Sequence, residues 1–210
     1  MLSIIQAAGW PIWPLVLCSV LALAIAIERA VSLRAVKVAP ATLLDEAIAV
    51  TRNGPPTPEV VEQLEKSSAL GEVLAGPLRA WRANPQMSLE DLHAAAEVTG
   101  RVVAHRLERY LSALATIASA APLLGLLGTV IGMIEIFGSQ GTGAVAGATN
   151  PLQLAHGISV ALYNTAFGLI VAIPSLILWR YFRARVDEYL LTLEVAADRF
   201  VRHLDALRRR

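Results

Sequence analysis

Two threonines, Thr129 and Thr165, and one carboxylate, Glu135, are the side chains best placed to do chemistry in the apolar half of this sequence. Each threonine sits in a row of small residues. Ala118, Ala121, Gly125, Thr129 and Gly132 follow steps of 3, 4, 4 and 3, while Ala161, Thr165, Gly168 and Ala172 follow steps of 4, 3 and 4. Gly128 and Gly132 add a GxxxG pair. On a helix such rows are packing faces first, because small side chains let two backbones approach closely. A single hydroxyl in the middle of each row offers a second chemistry, a narrow polar path for an ion. The alternative is a hydroxyl bonded back to its own helix's carbonyl four residues earlier, and both readings stay open on sequence alone. Glu135 lies beyond Thr129, about 120° around a helix of 3.6 residues per turn. A carboxylate in an apolar tract is a functional candidate by default, here for ion access near the outer end of its helix, with a solvated interfacial residue as the alternative. Asn164 reads as an interhelical hydrogen-bonder and His156 as a solvated linker residue.

The elements that must position these groups follow from charge and length. Between Arg109 and Arg180 the only carboxylate or fixed positive charge is Glu135. Two apolar tracts fill that span, Leu111–Ile134 and Ile158–Trp179, and a third, Trp10–Ile27, opens the chain. Roughly 20 apolar residues at about 1.5 Å each cross a bilayer. With 55% hydrophobic residues and 17% charged, the composition belongs to an all-α membrane protein with three transmembrane helices. The net charge of +1 gives no reason to expect nucleic acid. All 18 Lys and Arg fall after the first tract or after the third, so the positive-inside rule puts the N-terminus outside and the C-terminus inside. The expected division is an external N-terminus (1–9), a first span (10–27), a cytoplasmic segment (28–109), a second span (110–137), an external loop (138–157), a third span (158–179) and a cytoplasmic C-terminal helix (180–210). The first tract lacks a basic lead-in and a small-residue cleavage pattern, so it reads as a retained helix rather than a signal peptide. Its Trp10 and Trp13 suit the headgroup layer and contact with lipid. Lone Cys18 offers no disulfide framework.

The segment 28–109 carries helically spaced apolar groups divided by Asn53-Gly54-Pro55-Pro56 and Asn84-Pro85. Ser88 followed by Glu90 and Asp91 reads as a helix start. No breaker stronger than Gly100 follows before Pro122, so the second spanning helix is expected to begin well inside the cytoplasm, just as the third continues into it. Beyond the third span, Val186, Leu190, Leu193, Ala197, Phe200, Leu204 and Leu207 recur at alternating steps of 4 and 3. That seam packs either on the chain's own cytoplasmic segment or on other subunits.

The run 121–133 (APLLGLLGTVIGM) followed by 157–174 (GISVALYNTAFGLIVAIP) resembles the MotA/TolQ/ExbB proton-channel family. Three crossings with a large first cytoplasmic segment are similar to the ExbB and TolQ members; MotA has four. The resemblance implies a homopentamer whose second and third helices line a central pore. It also implies a single-pass ExbD- or TolR-like subunit threading that pore and supplying the aspartate that carries the proton. Pore-lining threonines of the family fall on Thr129 and Thr165, and the energised partner would be a TonB-like, periplasm-spanning protein. The setting implied is the bacterial inner membrane, with no cofactor. One departure matters: the glutamate that ExbB and TolQ commonly carry five residues before the third-helix threonine is Val160 here, so its role does not carry over.

Sequence and resemblance agree that no acid, Lys or Arg sits mid-membrane in this chain. A proton path through hydrocarbon needs a titratable group near its middle, so the chain reads as housing for a borrowed carboxylate. The leading expectation is an ExbB-like channel subunit energising TonB-dependent transport. The alternatives are a TolQ-like subunit of the envelope system and a passive membrane scaffold. A secondary transporter would want internal repeats and broken helices. An enzyme is not expected: no nucleophile–base or metal-ligand spacing stands out, and His93 and His105 are twelve residues apart.

Overall fold

The computed structural model describes residues 10–52, 54–141 and 151–209. Among them there are eight helices and no strand: α1 Ile12–Ser32, α2 Ala35–Val38, α3 Leu43–Thr51, α4 Pro58–Ser67, α5 Ala69–Ala83, α6 Leu89–Glu108, α7 Leu111–Gly141 and α8 Pro151–Arg208. Three helical stretches are long and apolar enough to cross a membrane, drawn from Ile12–Ser32, Leu89–Gly138 and Ala161–Arg208. Of the most apolar 18 residues in each, 22%, 22% and 28% are buried within the chain, so most of that surface is left for lipid or other protein. This is an all-α membrane protein.

The chain divides into two compact units. The first comprises Met1–Ile27 and Tyr110–Tyr181 and holds all three apolar tracts. Its small core joins Leu15 of α1, Ala121 of α7 and Ala172 of α8, with Leu124, Phe167 and Val171 packed around them. Prolines stand inside both long helices, Pro122 in α7 and Pro174 in α8. Helix-breaking residues are tolerated in spanning helices because neighbouring groups take up the freed backbone partners. The expected linker 138–157 is trimmed at both ends, since α7 runs to Gly141 and α8 begins at Pro151. Residues 142–150 lie outside the described residues.

The second unit comprises Glu28–Arg109 and Phe182–Arg210. Helix α5 is its hub, with Leu70, Val73, Leu74, Leu78 and Trp81 all buried. Its neighbours α4 and α6 bury Val61 and Leu92, Val103 and Leu107. Ser88 caps α6 as expected, its Oγ accepting from the Asp91 amide at 3.1 Å. Ser68 does the same for α5, accepting from Gly71 at 3.1 Å. The C-terminal seam settles on the chain's own cytoplasmic segment. Val186, Leu193, Phe200 and Leu204 are buried in the single chain. The Tyr189 hydroxyl donates to the Leu33 carbonyl at 3.0 Å, and Arg208 donates to the Met87 carbonyl at 2.7 Å.

One expectation needs correction. The helical run from Ser88 is not continuous into the second span: α6 ends at Glu108, and Tyr110 takes φ 65 before α7 starts at Leu111. Such a φ is uncommon for a residue with a side chain and marks a real turn. A carbonyl released by the break, that of Leu107, accepts from the guanidinium of Arg29 at 3.0 Å. Arg29 is only 3% exposed and also pairs with Glu28.

Candidate functional site

The small-residue rows of α7 and α8 meet face to face. A Cβ placed on Gly125 would stand 2.8 Å from the Asn164 carbonyl oxygen and 3.0 Å from Thr165 Cα. One on Gly168 would stand 2.7 Å from the Ala121 carbonyl oxygen, and one on Gly128 would stand 2.8 Å from Asn164 Cβ. Farther along, a Cβ on Gly132 would lie 3.3 Å from that of Ala161. Partner numbers fall on α8 as they rise on α7, so the helices are antiparallel. Backbone meets backbone at Gly125 and Gly168, where hydrogen is the only side chain that fits. Asn164, 2% exposed, sits inside this contact, as befits an interhelical polar residue.

The threonines flank the contact rather than sit in it. With Ala121, Gly125, Gly128 and Gly132 marking the contact line on α7, Thr129 lies about 70° to one side at 100° per residue. On α8 the line runs through Ala161, Asn164, Gly168 and Ala172, and Thr165 lies about 55° to one side. Because the helices are antiparallel, both offsets point to the same flank of the pair. Their levels differ by roughly two or three residues, about 4 Å along the axes. Leu124 of α7 with Phe167 and Val171 of α8, the residues around Leu15 of α1, occupy the other flank. The hydroxyl-bearing flank is left uncovered by α1, and Leu162 and Leu169 on its α8 side are 61% and 44% exposed.

The two hydroxyls differ in their bonding. Thr129 Oγ1 donates to the Leu126 carbonyl at 2.7 Å, three residues back rather than four. Its proton is thereby engaged while oxygen lone pairs remain to accept. Among the described residues Thr165 makes no side-chain hydrogen bond, and both threonines are half-buried. The buried Ser175 bonds back to the Val171 carbonyl at 2.7 Å, the ordinary fate of a hydroxyl in a helix.

Glu135 is exposed and lies on the flank opposite the threonines, about 50° from the α7 contact line. The geometry therefore groups Gly125, Gly128, Gly132, Ala161, Gly168 and Ala172 as the packing face, sets Thr129 and Thr165 together beside it, and leaves Glu135 apart. The side chains of His156 and Val160 lie outside the described residues. The sequence marks Arg29 only as one of the charges, with Glu28, Arg34 and Lys37, that follow the first tract, and its burial depends on partners far along the chain such as Leu107.

Comparison with known proteins adds a family. The sequence model described as the MotA/TolQ/ExbB proton channel family matches residues 65–195. The chain is 32% identical to the biopolymer transport protein exbB1 of Vibrio cholerae over 171 residues, covering 81% of this chain and 73% of that one. It is 30% identical to a putative biopolymer transport protein, ExbB-like 3, of Synechocystis over 181 residues, covering 85% and 83%. It is 36% identical to the Tol-Pal system protein TolQ of Pseudomonas aeruginosa over 117 residues, covering 56% and 49%.

Proposed function

The chain belongs to the MotA/TolQ/ExbB proton channel family, and from that membership we propose that it is the channel-forming subunit of a motor driven by the proton-motive force across the bacterial inner membrane. It is an energiser subunit of the ExbB/TolQ type. In this reading several copies, five by family resemblance, surround a pore lined by the uncovered flanks of α7 and α8. The N-terminus and the 142–150 connection face the periplasm, and the basic segments face the cytoplasm. A single-pass ExbD- or TolR-like subunit occupies the pore and brings the aspartate on which the proton rides.

The observation that carries this reading is the common flank of Thr129 and Thr165, within about one helical turn of each other along the axes, on the side that α1 leaves open. Between them the hydroxyls can hydrogen-bond a partner's carboxylate in either protonation state, Thr165 donating to the ionised form and either threonine accepting from the acid. They need not titrate. The walls contribute orientation and polarity, and the visiting aspartate contributes the charge change. Proton passage through the partner would then turn wall and partner against each other, energising a TonB-like protein that reaches across the periplasm.

The test is a double substitution, Thr129→Val with Thr165→Val, which keeps shape and removes both hydroxyls. Energised transport is expected to vanish while the complex still assembles with its partner. Normal transport by a well-expressed double variant would leave only a scaffold role. The similarity to TolQ supports a second reading, service in the Tol-Pal envelope system. The single-pass subunit that co-purifies, of ExbD or TolR type, decides between the two.

A further inference from the structure

The cytoplasmic unit holds a cleft of about 1260 Å³ whose charges do not balance. Four helices supply its cations: Lys37 comes from α2, Lys66 from α4, Arg79 and Arg82 from α5, and Arg106 from α6. Three carboxylates line the same cleft, and each is already held: Glu62 by Lys66 at 2.5 Å, Glu65 by Arg79 at 2.9 Å and Glu72 by Arg106. Among the described residues Lys37 and Arg82 pair with no carboxylate, so two positive charges stand unmatched.

Unmatched cations in a concavity differ from scattered surface charge, because low-dielectric walls focus their field and draw anions in. The paired guanidiniums add donors. Arg79 gives Nη1 to its glutamate and Arg106 gives Nη2, which leaves the other N–H groups of each for a ligand. A phosphate group matches this inventory. It carries up to two charges on one centre, accepts several hydrogen bonds, and suits guanidinium forks and an ammonium point charge together. The cleft is roomier than an ordinary ligand pocket of about 300–1000 Å³, so it has space for a phosphate that heads a larger molecule. Lys37 follows shortly after α1 ends at Ser32, and Arg106 stands in the last turn of α6, just before α7 starts at Leu111. Both lie close along the chain to the bilayer's cytoplasmic surface, where anionic phospholipids attract basic side chains.

We propose that this cleft binds a phosphate-bearing anion, with Lys37 and Arg82 as its charge partners and Arg79 and Arg106 as further donors. An inner-leaflet phospholipid headgroup and a soluble phosphorylated compound share that chemistry. The site stands apart from the channel reading; only its access to lipid rests on the orientation proposed above.

Calorimetric titration of the full-length chain in a neutral detergent tests it. The probes are a short-chain phosphatidylglycerol, the matching phosphatidylcholine and glycerol phosphate. The parent chain is expected to bind at least one of the two anions saturably, and about tenfold or more tightly than phosphatidylcholine. Binding of phosphatidylglycerol alone identifies a lipid source, whereas equally tight binding of glycerol phosphate identifies a soluble one. Lys37→Gln with Arg82→Gln should weaken that binding about tenfold or more, and each single change should account for part of the loss. Both side chains are exposed, so the fold tolerates the change. Arg52→Gln with Arg199→Gln removes the same charge from outside the cleft and should leave binding unchanged. Three results would overturn the site: no saturable binding of either anion, equal binding of phosphatidylcholine, or a loss that is absent from the cleft variants or shared by the Arg52 and Arg199 pair. None of them touches the channel reading, whose own test is energised transport.

Discussion

Thr129 and Thr165 do different things with the same functional group. Thr129 gives its proton to its own helix at Leu126 and keeps an acceptor, whereas Thr165 makes no such bond among the described residues. A carboxylate passing between them would meet one fixed acceptor and one rotatable hydroxyl. The single change Thr165→Val should therefore reduce energised transport more than Thr129→Val. Transport rates of the two single variants, at matched expression, check the order. Glu135 stands on the opposite flank, which confines its proposed part to ion access from outside. Glu135→Gln is expected to lower proton-driven activity less than tenfold, with the larger effect at low driving force. An abolished activity, measured as partner-dependent proton flux, would instead put Glu135 in the main path. The candidates themselves were legible in the sequence, because period and composition mark small-residue rows and the hydroxyls within them. The flank each threonine faces was not. That depends on which side α1 covers, and Leu15 lies more than a hundred positions away from Leu124 and Phe167.

At the level of elements, the α7–α8 contact depends on the absence of side chains at particular points. Gly125→Ala would drive a methyl into the Asn164 carbonyl and the Thr165 backbone. It should destabilise the helix pair by about 1–3 kcal/mol. Gly132→Ala meets only the Ala161 methyl at 3.3 Å and should stay within about 0.5 kcal/mol of the parent chain. Thermal unfolding of the two variants in detergent distinguishes them; equal losses would mean the helices do not cross at Gly125. In the cytoplasmic unit, Ser88→Ala removes the acceptor for the Asp91 amide and should cost about 1 kcal/mol, read as a lower midpoint in the same assay. This cap was visible in advance as a serine followed by acids. The turn at Tyr110 was not, since tyrosine is no breaker and the Leu107 carbonyl is satisfied by Arg29 from 78 residues away. The C-terminal seam shows the same limit. Its period was plain, but the choice between a neighbour's helix and its own segment rested on long-range partners such as Leu33 for Tyr189.

For the whole molecule, the division into an apolar unit and a charged one follows from where the 18 basic residues fall. Charge and length sufficed to foresee that much, because partitioning between water and hydrocarbon is the largest energy at stake. The purified chain, reconstituted into liposomes without a partner, should dissipate a pH gradient no faster than the vesicles' own leak. Addition of a single-pass partner bearing an intramembrane aspartate should raise the flux, and its Asp→Asn variant should not. Rapid flux through the chain by itself would mean that the ion travels on groups of its own.

The lack of any mid-span charge has a consequence for the cell that makes this protein. Its apolar segments carry no charge that needs a counter-ion in the bilayer, and on the proposed division of labour surplus copies would leave the gradient intact. A short-circuit would then need the partner that brings the carboxylate, and making this chain ahead of such a partner would do no harm.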